Sequence, residues 1–319
     1  MKKKILCIIC SVLVLLDLQG CSSIDRGSED DGRLKVVATV FAEYDFLRQI
    51  GGDAINLSML MLPGADIHTF DPTPRDMKKV QDADLFVTVG GESDAWADTV
   101  IASVDNKNLE CVRLMDLVDE VVEEEIVEGM SVEEEHEEEE DGEKEFDEHV
   151  WTSPKNAIQI VEGLCDRLCL LDKKNEGTYR SNAATYIKKL KKLDKKFTEV
   201  VENGERREIV VADRFPFRYF TDAYDLKYYA AYPGCSTQTG ASVETIAFLI
   251  DKVKEDKIPV VFHMELSSEM MCNTICDETG AEKAQLNAVH NISKRNFDKG
   301  VGYLELMEKN VQVLREALK

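Results

Sequence analysis

The chain is short of positive charge. Its 319 residues hold 39 Lys and Arg against 62 Asp and Glu, a formal net charge of −23. That balance excludes nucleic acid and a bare anionic membrane surface as expected partners, because both require a basic face. Beyond the first 20 residues, no apolar run reaches the ~18 residues of a spanning helix. A His-Glu-x-x-His helix and a Gly-x-Ser-x-Gly elbow are also absent, which removes the two commonest hydrolase signatures. Histidine is sparse, with five in the whole chain. What is present suits a globular protein: 44% hydrophobic residues, and a length that fits two domains, each with its own core.

The negative charge is concentrated. Residues 119–148 carry 18 acidic side chains and one lysine, Lys144, so the rest of the chain contributes only −6. This acidic segment has no periodicity and repels itself, so it is expected to be a mobile loop. It reads either as a solvated insertion or as a weak gatherer of hard cations, with His136 alone inside it.

The first residues form a targeting segment. Lys2, Lys3 and Lys4 precede a 12-residue apolar run, Ile5 to Leu16, too short to span a bilayer and suited to a signal-peptide core. Leu18-Gln19-Gly20-Cys21 resembles the lipobox of bacterial lipoproteins, with Cys21 as the lipidated residue. Residues 1–20 are therefore expected to be a signal peptide and 21–33 a flexible tether, which places the protein outside the cytoplasm, lipid-anchored at the cell membrane. Of the six later cysteines, Cys165/Cys169 and Cys272/Cys276 are spaced i,i+4 within helical patterns and read as core residues on one helix face. Cys235, in Pro233-Gly234-Cys235-Ser236, reads as a buried turn cysteine.

From Leu34 onward, short β-like runs alternate with helical patterns, the signature of an α/β fold with mostly parallel sheets. Strands are predicted at 34–40, 55–62 and 85–89, then at 209–212, 228–231, 259–262 and 284–286. Helices are predicted through Phe46, Leu47 and Ile50, from Thr73, from Ser153 and from Tyr303. Between the two series, Tyr186, Leu190, Leu193, Phe197 and Val200 recur every 3–4 residues among lysines, predicting one long amphipathic helix. The expected architecture is two βα lobes, 34–178 and 205–319, joined by a helix over 179–204, with a cleft at the carboxyl ends of the strands.

Four of the five histidines, His68, His149, His263 and His290, follow predicted strand ends or precede predicted helix starts. Neutral imidazoles gathered from separate loops suit a Zn²⁺-like ion, and added carboxylates shift the preference toward Mn²⁺. Trp151, Phe215 and Phe217 read as packing for the lobes and the cleft walls.

Three spaced motifs carry a family resemblance. His68-Thr69-Phe70-Asp71-Pro72-Thr73-Pro74 resembles the His-x-(Tyr/Phe)-x-Pro-(Ser/Thr) motif of the zinc/manganese-type substrate-binding lipoproteins of metal ABC transporters. Glu148-His149-Val150-Trp151-Thr152-Ser153-Pro154 is similar to that family's second element, with Glu148 where proline is usual. Residues 302–318 resemble its closing helix, so the likeness covers 34–319.

The resemblance implies two lobes joined by a rigid helix, with a metal in the cleft and a variable acidic loop ahead of the second histidine. It implies His68 and His149 as N-lobe ligands. The third ligand, usually His or Glu, has no match in Ala212-Asp213-Arg214-Phe215-Pro216-Phe217-Arg218-Tyr219-Phe220. An ungapped match lands on Arg214, which stays protonated, and a one-residue insertion lands on Asp213. The last-loop carboxylate falls near Asn287, with His290 three residues on. The expected ligand set is His68, His149, His290 and Asp213, with His263 and Glu265 in reserve, and it favours Zn²⁺ over Mn²⁺.

The expected function is extracytoplasmic capture of Zn²⁺ by a monomer and its delivery to an ABC transporter permease, without catalysis. Two other classes are weighed against it: a secreted metal-dependent hydrolase, and a surface lipoprotein whose acidic loop binds a macromolecular partner.

Overall fold

The computed structural model describes residues 31–65, 70–131, 145–235 and 240–319. His68, His136 and the predicted signal and lipidation segment with Cys21 lie outside the described residues. The compact unit is Leu34–Lys319.

Its first half runs β1 (Leu34–Ala38), α1 (Phe41–Gly51), β2 (Ile55–Met59), α2 (Pro74–Gln81), β3 (Leu85–Thr88), α3 (Trp96–Ser103) and β4 (Glu110–Arg113). All pairings are parallel, in the order β2-β1-β3-β4. Two helices follow, α4 (Pro154–Leu171) and α5 (Glu176–Glu202). The second half repeats the scheme: β5 (Glu208–Phe215), α6 (Arg218–Tyr224), β6 (Lys227–Pro233), α7 (Val243–Glu255), β7 (Val260–Met264), α8 (Met270–Thr279) and β8 (Glu282–Leu286). Its order, β6-β5-β7-β8, is again wholly parallel. The chain closes with α9 (Lys294–Asp298) and α10 (Tyr303–Ala317).

The two-lobe α/β architecture read from the sequence is the one observed. α2 starts where expected: Thr73 Oγ1 accepts from the Asp76 N–H at 3.3 Å, the Asp76 carboxylate accepts from Thr73 N–H, and Pro74 fills the first helical position. The short β4 and α3 have no counterpart among the sequence expectations. β4 is mostly exposed at a sheet edge and lacks the apolar run that marks the central strands.

α5 buries Tyr179, Ala183, Tyr186, Leu190, Leu193, Phe197, Val200 and Val201 along one stripe. Its 27 residues extend roughly 40 Å. It packs on α1 and α4 from the first half and on α6 and α10 from the second. As a result one apolar core runs from Val36 and Leu47 through Tyr186, Leu193 and Phe197 to Val211, Phe220 and Leu314. Phe197 meets Phe220 edge-on at 4.9 Å and Tyr224 at 5.5 Å. The cysteines follow their core reading: Cys165, Cys169 and Cys272 are buried, Cys276 is half-buried, and all six described cysteines are reduced.

The described flanks of the acidic segment depart from expectation, while residues 132–144 lie outside the described residues. The flanks form a docked stem, not a mobile loop. Glu124 N–H donates to Glu145 O and Asp147 N–H to Val122 O, both at 2.9 Å, closing an antiparallel pair. Tyr219 on α6 grips both strands, donating to Asp147 O at 2.7 Å and accepting from Val122 N–H at 3.2 Å. Farther out, Ser131 N–H donates to Ala231 O, and Glu125 pairs with Arg218 and accepts from Tyr228 OH. The physical reason is that Val121, Val122, Val127 and Met130, interspersed with the acids, pack on the core. Individual carboxylates also find donors that a bulk charge count hides.

Phe197→Ala should cost about 3–5 kcal/mol in urea unfolding of the metal-free protein, because it opens a cavity where both lobes meet α5. Far-UV circular dichroism at zero denaturant should stay unchanged.

Candidate metal centre

Each sheet reverses its winding direction between its two central strands, β1/β3 in the first half and β5/β7 in the second. Open α/β sheets place ligands in the crevice beyond the strand ends at that point. A cavity of about 650 Å³ lies there, lined among others by His149, His290, Asp213, Arg214, Glu265 and Met264.

His149 is 2% exposed and is set by Asp147. One carboxylate oxygen of Asp147 accepts from the His149 backbone N–H at 2.8 Å and contacts its Nδ1 at 3.0 Å. This contact fixes the ring and leaves Nε2 to face a ligand, the usual arrangement behind a metal-binding imidazole. Burial disfavours the imidazolium, but the charge of Asp147 and its hydrogen bond, with Glu148 and Glu124 behind them, outweigh that and raise the His149 pKa. The opposite wall is Gly234, where an added Cβ would sit 3.3 Å from His149 Cε1 and 3.0 Å from Phe215 O. The Pro-Gly-Cys turn thus needs glycine for close approach. Its cysteine is passive: burial, reinforced by Glu124, holds the Cys235 thiol well above the ordinary thiol range.

His290 lies on the loop after β8. Although it comes late in the chain and was expected on the C-lobe, the loop is fastened to first-half elements. Phe41 N–H donates to His290 O at 3.2 Å, Trp151 Nε1 donates to Ala288 O at 2.8 Å, and Asn291 Nδ2 donates to Leu62 O and Ala65 O. From the C-lobe, the two carboxylate oxygens of Glu265 accept from Ala288 N–H and Val289 N–H, each at 2.7 Å. That grip holds Val289 at φ 59°, a left-handed conformation that costs a β-branched residue free energy.

The outcome is a pair of imidazoles with ring centroids 5.3 Å apart at 86°. Trp151 touches both rings, at 5.5 and 5.3 Å. Two imidazoles bound tetrahedrally to one zinc ion at ordinary Zn–N lengths have centroids roughly 5 Å apart. The spacing fits.

The carboxylates differ in how they are held. A register break between Val211 and Arg214 bends β5, and Asp213 accepts from Met264 N–H at 3.2 Å and Arg214 N–H at 2.9 Å. Burial pushes Glu265 up to about 7, with its backbone donors acting in the opposite sense and the charge of Asp213 adding to the rise. His263 does not line the cavity, and its Nδ1 contacts Met264 O at 2.9 Å. Asn287 is committed to Asn310. Among the described residues, no three His, Cys, Asp or Glu side chains form a group able to hold an ion by themselves. The structure therefore brings His149, His290, Asp213 and Glu265 to one cavity and leaves His263 out. Sequence reasoning missed Asp147 and Asn291. Asp147 stands two residues from His149, but as one of 18 acidic residues in 119–148 nothing singles it out.

Comparison with known proteins gives a consistent result. The sequence model of the family described as "Zinc-uptake complex component A periplasmic" matches residues 36–317. The zinc-binding lipoprotein AdcA of Streptococcus pneumoniae is 30% identical over 317 residues, covering 98% of this chain and 61% of the relative. The chain thus spans about three fifths of that relative's length. The high-affinity zinc uptake system protein ZnuA of Bacillus subtilis is 30% identical over 314 residues, covering 98% of this chain and 96% of the relative. The crystal structure of the Zn(II)-bound ZnuA-like domain of S. pneumoniae AdcA superposes with a TM-score of 0.73 at 29% identity, covering 90% of this chain and 99% of that one. The metal-dependent lipoprotein YcdH of B. subtilis gives 0.74 at 28% identity, covering 90% and 100%.

Asp147→Asn should lower the His149 pKa in metal-free protein, read by NMR titration of the ring, since burial then acts with less opposition. A raised histidine pKa stabilises the fold fully below the unfolded value of about 6.5, and that stability fades as pH rises through the folded value. The stability gap between wild type and variant should therefore be small at alkaline pH and widen as pH falls through about 6.

Proposed function

The chain belongs to the family of periplasmic zinc-uptake complex component A proteins, and from that premise we propose that it captures Zn²⁺ outside the cytoplasm and hands it to an ABC transporter permease. The observation that carries this reading is the edge-to-face pair of His149 and His290, whose ring spacing matches two imidazoles on one tetrahedral ion, in a cavity also lined by Asp213 and Glu265. Zinc is the cargo. The chain acts by binding and not by turnover.

In this reading His68 joins His149 and His290 as the third imidazole, and Asp213 supplies the carboxylate. Glu265, with both oxygens on backbone N–H groups, positions the His290 loop and does not coordinate. Arg214 keeps its charge and is no ligand. The protein is lipidated at Cys21 after removal of residues 1–20, tethered through 21–33, and acts as a monomer with lobes 34–178 and 205–319 hinged on the long helix. Among the described residues no helix is long and apolar enough to cross a membrane. Coordination needs neutral imidazoles, so capture weakens in acid. The raised His149 pKa starts that weakening at a higher pH than a free imidazole would.

Competitive titration of metal-free protein with Zn²⁺ and Mn²⁺ tests the reading. One tight Zn²⁺ equivalent is expected, lost in the His68→Ala/His149→Ala double variant. Manganese preference, or a site indifferent to those two histidines, would overturn it. Asp213→Ala should weaken Zn²⁺ binding at least about tenfold while the metal-free melting temperature holds, whereas Glu265→Ala should lower both.

Replacing residues 132–144 with a short Gly-Ser linker keeps the docked stem and should leave Zn²⁺ affinity unchanged. A large loss would assign that segment to the site.

A further inference from the structure

The first-half switch point holds a second pair of carboxylates that the capture site does not use. Glu43 on α1 is fully buried, and Asp94, just ahead of α3, is 3% exposed. One oxygen of each holds a strand exit. Glu43 Oε2 accepts from Thr39 N–H at 2.7 Å, Thr39 Oγ1 at 3.0 Å and Val40 N–H at 3.1 Å, after β1. Asp94 Oδ2 accepts from Val89 N–H and from Gly90 N–H, after β3. These exits are neighbours, because β1 and β3 pair directly and Thr39 N–H donates to Val87 O. The other oxygens, Glu43 Oε1 and Asp94 Oδ1, are buried with no hydrogen-bond partner among the described residues.

Two bare carboxylate oxygens in a buried site are costly, and neighbouring buried carboxylates that feel each other's charge resist ionising together. The charged groups around Asp94 do not neutralise them. Glu148 and Asp98 are acidic, and the nearby Arg113 is bound to Asp98 at 2.7 Å. One proton held between the two orphan oxygens would satisfy both. We propose that Glu43 and Asp94 share one proton, a carboxyl of one donating to the carboxylate of the other, and that this bond positions the loop against which His149 is set.

The direction of the titrations agrees. Burial, with the charge of Asp94 added, raises Glu43 well above the ordinary carboxylate range, and burial lifts Asp94 to about 6 against its backbone donors. Glu43 carries the proton. Positioning runs through residues 89–94. The far side of that loop is held by Glu148, whose Oε1 accepts from Ser93 N–H at 2.8 Å. Glu148 packs so tightly on Gly91 that a Cβ there would lie 2.2 Å from its Cγ. Glu148 directly precedes His149, so the shared proton on one side and Glu148 on the other fix the register of the loop bearing that ligand.

The test uses isosteric amides. In Glu43→Gln the new NH2 donates to Asp94 in place of the proton, and in Asp94→Asn the new NH2 donates to an ionised Glu43. Each single variant should melt close to wild type. The Glu43→Gln/Asp94→Asn double variant sets donor against donor, and its loss should far exceed the sum of the singles. Carboxyl ¹³C NMR of metal-free wild type at pH 7 should show Glu43 protonated. Two fully ionised carboxylates, or additive losses in the double variant, would overturn the shared proton. For positioning, which rests on the capture reading, Glu43→Leu should weaken Zn²⁺ binding about tenfold and Glu43→Gln should restore it. Equal affinity in both would overturn the positioning role. If wild type binds no zinc tightly, the capture reading fails, while the NMR and melting results still decide the proton.

Discussion

Burying an indole obliges the fold to satisfy its N–H, and in this protein that obligation organises the centre. Trp151 is fully buried. Its Nε1 donates to Ala288 O, and its own carbonyl accepts from Tyr303 OH at 2.8 Å. Tyr303 in turn receives its place from Asp45, which accepts from its backbone N–H at 2.7 Å. Three stretches of chain that are remote in sequence are locked around one ring, and both described histidines of the site lean on that ring. Losing these bonds would cost more than their modest net worth, because each would leave a buried polar group without a partner.

The duplicated sheet order shows how one topology serves two ends. In the second half the switch point places Asp213 and Glu265 along the wall of an open cavity. In the first half the same place in the topology carries Glu43 and Asp94 sealed from solvent. The same chemistry at equivalent positions is open on one side and closed on the other. The single core running across α5 makes the difference durable, because the lobes cannot separate widely without exposing Phe197, Tyr186 and their partners.

Much of this was legible in the sequence. Buried parallel strands read as apolar runs, α2 announced itself through Thr73-Pro74-Arg75-Asp76, and the long helix showed its stripe. The histidines drew attention because they stood at strand exits. What stayed hidden depends on partners distant in sequence. Asp147 looks like any acid in its run, and only the fold sets it behind His149. The stem of the acidic segment escaped notice because net charge averages away particular pairings such as Glu125 with Arg218. His290 was assigned by chain position, whereas Asn291 and Phe41 tie its loop to the first half.

The fastening of the His290 loop has a consequence for how the protein matures. Asn291 reaches back 229 residues to Leu62, and Tyr303 reaches back 258 residues to Asp45. Contacts of such sequence separation form late, after loop closure has been overcome. The His149–His290 pair therefore has no counterpart in a partly folded chain, whose isolated first half would carry His149 and His68 without His290. On the proposed reading, the complete metal site is then a property of the finished molecule, because it needs His290 beside the first-half histidines.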